Sequence, residues 1–129
     1  MSAAPAGKLS VLDARVRSVP PGVRISAAYM QIANRTDQDD RLTACRYTGA
    51  GKVEIHETLV DAEGVMRMRP MQDGLKIPAG AGAALRPGGA HLMLINLNVE
   101  PRAGQTIQLE CDFAAAGTRS IAARVFEGE

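Results

Sequence analysis

Imidazole and thioether side chains are concentrated in one part of this 129-residue chain. Four of the six methionines fall between positions 66 and 93, and the only two histidines lie at positions 56 and 91. These side chains carry nitrogen and sulfur atoms that can bind a soft metal ion. The set consists of His56, Met66, Met68, Met71, His91 and Met93.

The spacing of these residues suits β-strands that present them on a common face. His91 and Met93 are two residues apart, and so are Met66 and Met68. In a strand, residues i and i+2 point to the same side of the sheet, so each pair shares a face. His56 falls on the polar face of its own alternating segment, where a ligand can reach it.

Two imidazoles and one or two thioethers form a donor set without any carboxylate. Such a set suits Cu(I), whereas zinc prefers thiolate, imidazole or carboxylate, and calcium or magnesium needs oxygen ligands. Thioethers need no deprotonation and form no disulfides. The residues therefore indicate a Cu(I) site that would tolerate mildly acid pH and an oxidising compartment.

Each of these residues also has a purely structural explanation. A methionine near leucine and valine usually fills space in a core. His91 follows a glycine-rich turn and is compatible with an ordinary surface position. His56 is compatible with a solvent-exposed pair with Glu54 or Glu57, which would contribute little. The pattern alone leaves two classes open: a copper-binding protein, and a non-metal β-sandwich protein-interaction module.

Composition and missing motifs exclude several other functions. Fifteen basic and fourteen acidic residues give a formal net charge of +1 without a basic run, so nucleic acid is not an expected partner. No apolar run is long enough to span a membrane. There is no GxSxG motif, and Val60 stands where a zinc-protease motif starting at His56 needs its second histidine. A blue-copper site would need a histidine after Cys111, and the sequence has none there. We therefore expect no enzymatic activity.

Hydrophobic periodicity predicts an all-β fold. Apolar and polar residues alternate, and turn residues interrupt the runs every 8 to 12 residues or so, as in a β-sandwich or barrel. We expect one domain over residues 9–126, preceded by a flexible segment, residues 1–8. The run 91–97 is apolar throughout and is typical of a central strand. The predicted strands are 9–18, 25–34, 41–48, 52–60, 64–69, 91–97, 105–113 and 118–126.

The two cysteines, Cys45 and Cys111, form no CxxC motif, which excludes a zinc knuckle or a thioredoxin-like motif. A disulfide between them would close a loop of 66 residues and contribute about 4 kcal/mol in the chain-entropy model. The sequence leaves open whether they form a disulfide or two buried thiols.

The sequence around the histidines and methionines resembles the PCuAC family of bacterial periplasmic or exported copper(I) chaperones. The resemblance extends from about Leu9 to Val125. It is clearest in the runs His56-Glu57-Thr58, Gly64-Val65-Met66-Arg67-Met68-Arg69-Pro70, Pro78-Ala79-Gly80 and Leu85-Arg86-Pro87-Gly88-Gly89-Ala90-His91-Leu92-Met93-Leu94.

The copper motif of that family is a His or Met, ten residues, a Met, twenty-one residues and then His-x-Met. Here eleven residues separate His56 from Met68 and twenty-two separate Met68 from His91, so each spacing is one residue longer. Met66 lies on the same strand face as Met68 and is the alternative to it. The ligands implied by the resemblance are His56, Met68, His91 and Met93.

The resemblance also implies a fold and a role. The fold would be a cupredoxin-like Greek-key β-sandwich holding one Cu(I) near its surface. The copper would pass by ligand exchange to the copper-bearing subunit of cytochrome c oxidase, directly or through a Sco-type protein. We expect a monomer that is periplasmic or exported. Residues 1–7 lack a basic region followed by an apolar stretch, so we expect a form without its signal peptide.

Overall fold

The computed structural model describes residues 8–127, and within that range the regular structure is entirely β. The all-β prediction is therefore confirmed. Residues 1–7 of the expected flexible segment 1–8 lie outside the described residues. Over the same range, no helix long and apolar enough to cross a membrane occurs. The ten strands are β1 (Leu9–Arg17), β2 (Ile25–Asn34), β3 (Asp40–Arg46), β4 (Ala50–Val60), β5 (Met66–Pro70), β6 (Leu75–Ile77), β7 (Gly82–Leu85), β8 (His91–Leu97), β9 (Thr106–Phe113) and β10 (Gly117–Phe126).

The strands form one continuous hydrogen-bonded path in the order β5-β4-β8-β2-β1-β10-β9-β3-β6, with β7 paired to β2. Strands β1 and β10 run parallel, and the other pairs are antiparallel. The path folds back on itself, because β3 packs against β4 and β6 packs against β7. The apolar faces of its two halves thereby enclose one core.

Alternating side chains build this core. In β9, Ile107, Leu109, Cys111 and Phe113 are buried, whereas the residues between them are exposed or half-buried. Leu92 and Leu94 of β8 are fully buried. Strand β8 lies between β4 and β2, so the prediction of a central strand over 91–97 is confirmed.

The two shortest strands, β6 and β7, were not predicted from the sequence. Strand β7 begins within a stretch whose proline and glycine residues predict a turn, and its alanines have little β-propensity. A Cβ atom at Gly82 would collide with the carbonyl oxygen of Ile32. Strand β7 can therefore pair with β2 there only because this residue is glycine. The other eight strands begin and end within two residues of their predicted limits.

Candidate metal centre

The register between β4 and β8 brings the two histidines together. His56 lies directly opposite His91, and Glu54 lies directly opposite Met93. Directly opposed residues of an antiparallel pair point to the same side of the sheet. The two imidazoles and the Met93 side chain therefore share one face, and the two ring centroids are 5.9 Å apart.

Strand β5 adds further thioethers to this face. Met68 lies opposite Thr58, which is two residues from His56 along β4. Met68 is thus a diagonal neighbour of His56 on the same face, within reach of a long side chain. Met66 is one side-chain position farther along β5. The register therefore places Met68 closer than Met66 to the pair of histidines.

A surface cavity of about 500 Å³ lies on this face. His56 stands beside the cavity with its ring against that of His91, and is not part of the lining. The side chains of the site differ widely in exposure: His91 is 6% exposed and Met68 is 57% exposed. The lining includes Met66, Met68, His91 and Met93 together with Tyr29 and Thr58.

Each imidazole has one nitrogen held by a neighbour. Nδ1 of His91 lies 3.1 Å from the carbonyl oxygen of Gly89, which can only accept, so Nδ1 donates and the neutral ring keeps its lone pair on Nε2. Nε2 of His56 lies 2.8 Å from Oε1 of Glu54, which likewise leaves the lone pair on Nδ1. That Nδ1 atom is buried and has no hydrogen-bond partner in the part of the chain that the structure describes. In its neutral form, each ring therefore offers one unprotonated nitrogen, as a metal ion requires.

Glu54 lies behind His56, outside the donor set of imidazoles and thioethers. Its carboxylate contacts His56 and also pairs with Lys52 at 3.0 Å. The hydrogen bond from His56, and then the one from Lys52, lower the pKa of Glu54 below its usual value. In metal sites, the histidine nitrogen that does not bind the metal commonly donates a hydrogen bond to a carboxylate. The sequence signal for it was the i, i+2 spacing of Glu54 and His56 on one strand.

Core packing and ordinary surface positions explain some of the histidines and methionines but not all of them. Met30 is fully buried and Met71 packs partly against the core, so both act as core side chains. Met66 and Met68 stand exposed on an edge strand, where core packing does not explain them. His91 is buried, so it is not an ordinary surface residue. His56 does pair with Glu54, but its side chain is only 14% exposed.

Thioethers are needed to complete any metal site around these histidines. Among residues 8–127, no group of three or more His, Cys, Asp or Glu side chains is placed to hold a metal ion. Zinc, calcium and magnesium sites are built from such groups. Two imidazoles with methionine sulfurs are instead a donor set for a soft cation such as Cu(I).

The fold and the site together define a class of protein: a small β-sandwich with imidazoles and thioethers clustered on one face. Residues 9–125 match the profile of a family described as "Putative lipoprotein LpqE-like". The chain belongs to this LpqE-like family, which is the PCuAC family, so the resemblance seen in the sequence is confirmed.

A curated relative is the "Putative lipoprotein Lxx21020" of Leifsonia xyli subsp. xyli. The two sequences are 31% identical over 104 residues, which cover 81% of this chain and 62% of the relative. The chain thus spans less than two thirds of the length of the relative.

Solved structures share the fold. The copper(I) form of DR1885 from Deinococcus radiodurans is 30% identical, with a TM-score of 0.75 over 98% of this chain and 84% of that one. The copper-bound PCuAC domain from PmoF2 is 22% identical, with a TM-score of 0.78 over 95% of this chain and 96% of that one. These similarities confirm the predicted cupredoxin-like fold.

Proposed function

We propose that this chain is a metallochaperone that binds one Cu(I) and passes it to another copper protein. The observation that carries the proposal is the β4–β8 register, which sets His56 against His91 with Met93 beside them. The edge strand β5 adds an exposed thioether next to this pair. Two similar structures, DR1885 with Cu(I) and the PmoF2 domain with copper, support the choice of metal. The proposed ligands are His56, Met68, His91 and Met93.

The unequal burial of these ligands suits transfer. His91 is buried and its Nδ1 atom is held by Gly89, so its imidazole stays in place. Met68 is exposed and neutral, so an incoming thiolate or imidazole from an acceptor can displace its sulfur first. Copper then moves by stepwise ligand exchange, with no covalent bond of a substrate made or broken.

We place this transfer outside the cytoplasm, in the periplasm or on an exported protein. The lipoprotein description of the family supports an exported location. Residues 9–126 would form the copper-binding domain. The proposed acceptor is the copper-bearing subunit of cytochrome c oxidase, reached directly or through a Sco-type protein.

The binding step is tested by an anaerobic competition titration of Cu(I) against a colorimetric chelator. We expect one tight equivalent for the wild type and much weaker binding for His91→Ala and Met93→Leu. Met71→Leu is the matched control, because this methionine packs against the core and should leave affinity unchanged. A thermal melt of each copper-free variant shows that it is folded. Absence of Cu(I) binding in the wild type would overturn the proposal and favour an interaction module.

The delivery step is tested separately. The Cu(I)-loaded protein is mixed anaerobically with the copper-free soluble domain of a Sco-type protein or of the oxidase subunit, and copper is measured in each after separation. We expect copper to appear on the acceptor. Full retention of copper by the chaperone with both acceptors would refute the proposed delivery and leave the binding site intact.

A further inference from the structure

We propose that Cys45 and Cys111 form a structural disulfide in the mature protein. The register of β3 with β9 sets these two residues directly opposite each other. Opposed residues of antiparallel strands have Cα atoms about 4.5 or 5.5 Å apart, depending on the type of pair. Both separations fall within the roughly 4.4–6.8 Å that a disulfide can span, so no backbone movement is needed.

The side chains are already in contact. The two Sγ atoms lie 2.7 Å apart, and Cys45 and Cys111 are 4% and 0% exposed. Neither residue lines the cavity of the copper site. The pair is therefore a second, separate group of sulfur atoms, buried inside the sandwich and unavailable to a partner protein.

Burial decides when this bond forms. In the folded chain, the hydrogen bond with Cys111 and then desolvation raise the pKa of the Cys45 thiol far above its usual value. A protonated and buried thiol is a poor nucleophile, and a large oxidant cannot reach it. Oxidation therefore takes place while the chain folds, before β3 and β9 close over the two sulfurs.

The oxidant is the disulfide of a thiol–disulfide oxidoreductase or of oxidised glutathione. The thiolate of one cysteine attacks that disulfide, forms a mixed disulfide and releases one thiol. The second cysteine then attacks the mixed disulfide, which forms the Cys45–Cys111 bond and releases the second thiol. The two cysteines lose two electrons and two protons in total, and the donor disulfide gains both.

Such a bond would have two effects. It would join strands that are 66 residues apart in sequence and so restrict the unfolded chain. It would also prevent the two cysteine sulfurs, which are strong Cu(I) ligands as thiolates, from capturing copper whenever the chain unfolds. The second effect alone rests on the proposed function.

The proposal is tested without copper. The reduced, denatured chain is refolded in a mixture of oxidised and reduced glutathione, then denatured, treated with a maleimide and weighed by mass spectrometry. We expect no maleimide adduct and a mass lower than that of the reduced chain by two hydrogen atoms. Chain refolded in a phosphine reductant should take two maleimides, and Cys45→Ala/Cys111→Ala should take none under either condition. Two maleimide or glutathione adducts after oxidative refolding would overturn the proposal.

Thermal melts of the same samples give a second measurement. From the loop of 66 residues and the chain length of 129, the oxidised form should melt roughly 15 °C above the reduced form. The double alanine variant, refolded under the same two conditions, should show no such difference. Equal melting temperatures for the two wild-type samples would contradict a stabilising disulfide.

Discussion

Met68→Leu is expected to weaken Cu(I) binding while leaving the copper-free fold nearly unchanged. Leucine conserves the volume of methionine approximately, and the Met68 side chain is 57% exposed. The free energy of unfolding of the copper-free protein should therefore change by less than about 0.5 kcal/mol. With an unfolding entropy of about 2.1 cal/mol/K per residue over 129 residues, Tm should change by less than about 2 °C.

The shift in Tm on adding copper reports ligation. With free Cu(I) buffered anaerobically at about one hundred times the wild-type Kd, binding adds about 2.7 kcal/mol and raises Tm by about 10 °C. Removing a hydrogen-bond partner behind a metal ligand typically weakens metal binding roughly 10- to 100-fold. Loss of the ligand itself should weaken Cu(I) binding at least as much. The shift for Met68→Leu should then fall to about 5 °C for a tenfold loss, and below about 2 °C for a hundredfold loss.

Met66→Leu is the matched control for this experiment. Met66 lies two residues away on the same strand, is 63% exposed and lines the same cavity. It should keep the full copper-dependent shift of about 10 °C. Equal shifts for the wild type and Met68→Leu would refute ligation by Met68. A loss confined to Met66→Leu would assign the ligand to Met66 instead.

Two further predictions concern charged side chains. Glu54→Gln removes the carboxylate that orients His56 and should weaken Cu(I) binding about 10- to 100-fold in the competition titration. Lys52→Gln leaves that hydrogen bond in place, so an equal loss there would contradict the reasoning. The hydrogen bonds from Arg46, and then from Thr118, lower the pKa of Asp112 from 3.8 to about 2. The stability that these bonds contribute is therefore present above pH 3.8 and is lost as the pH falls towards 2. Between those two pH values, the Tm of Arg46→Gln should therefore fall less than the Tm of the wild type. An equal fall in both proteins would contradict the role given to Arg46.

The sequence predicted the longer strands well, because each has one face in the core. In β9, for example, the alternation of Ile107, Leu109 and Phe113 with polar residues is visible without any knowledge of partners. Strand β7 could not be predicted, because its pairing depends on the close approach of Gly82 to Ile32. That approach is a property of the tertiary structure and leaves no periodic pattern in four residues.

The site was predictable in part. The i, i+2 spacing showed that His91 and Met93 share a face, and the family resemblance supplied the proposed ligands. The pairing of His56 with His91 across β4 and β8 depends on register, which no local pattern specifies. The contact between the two cysteines depends on register in the same way. A slip of one residue would turn one thiol towards the opposite side of the sheet.

In the proposed site, strand β5 would connect copper release to the local stability of the fold. Among the strands of residues 8–127, it pairs only with β4, and all five of its residues are exposed. A segment of this kind frays at a much lower free energy than the core strands do. In the proposed site, fraying carries the Met68 sulfur away while both imidazoles stay on β4 and β8. The residence time of the metal would then follow the opening of the β4–β5 hairpin rather than global unfolding. An acceptor that pairs with the free edge of β5 would control that residence time.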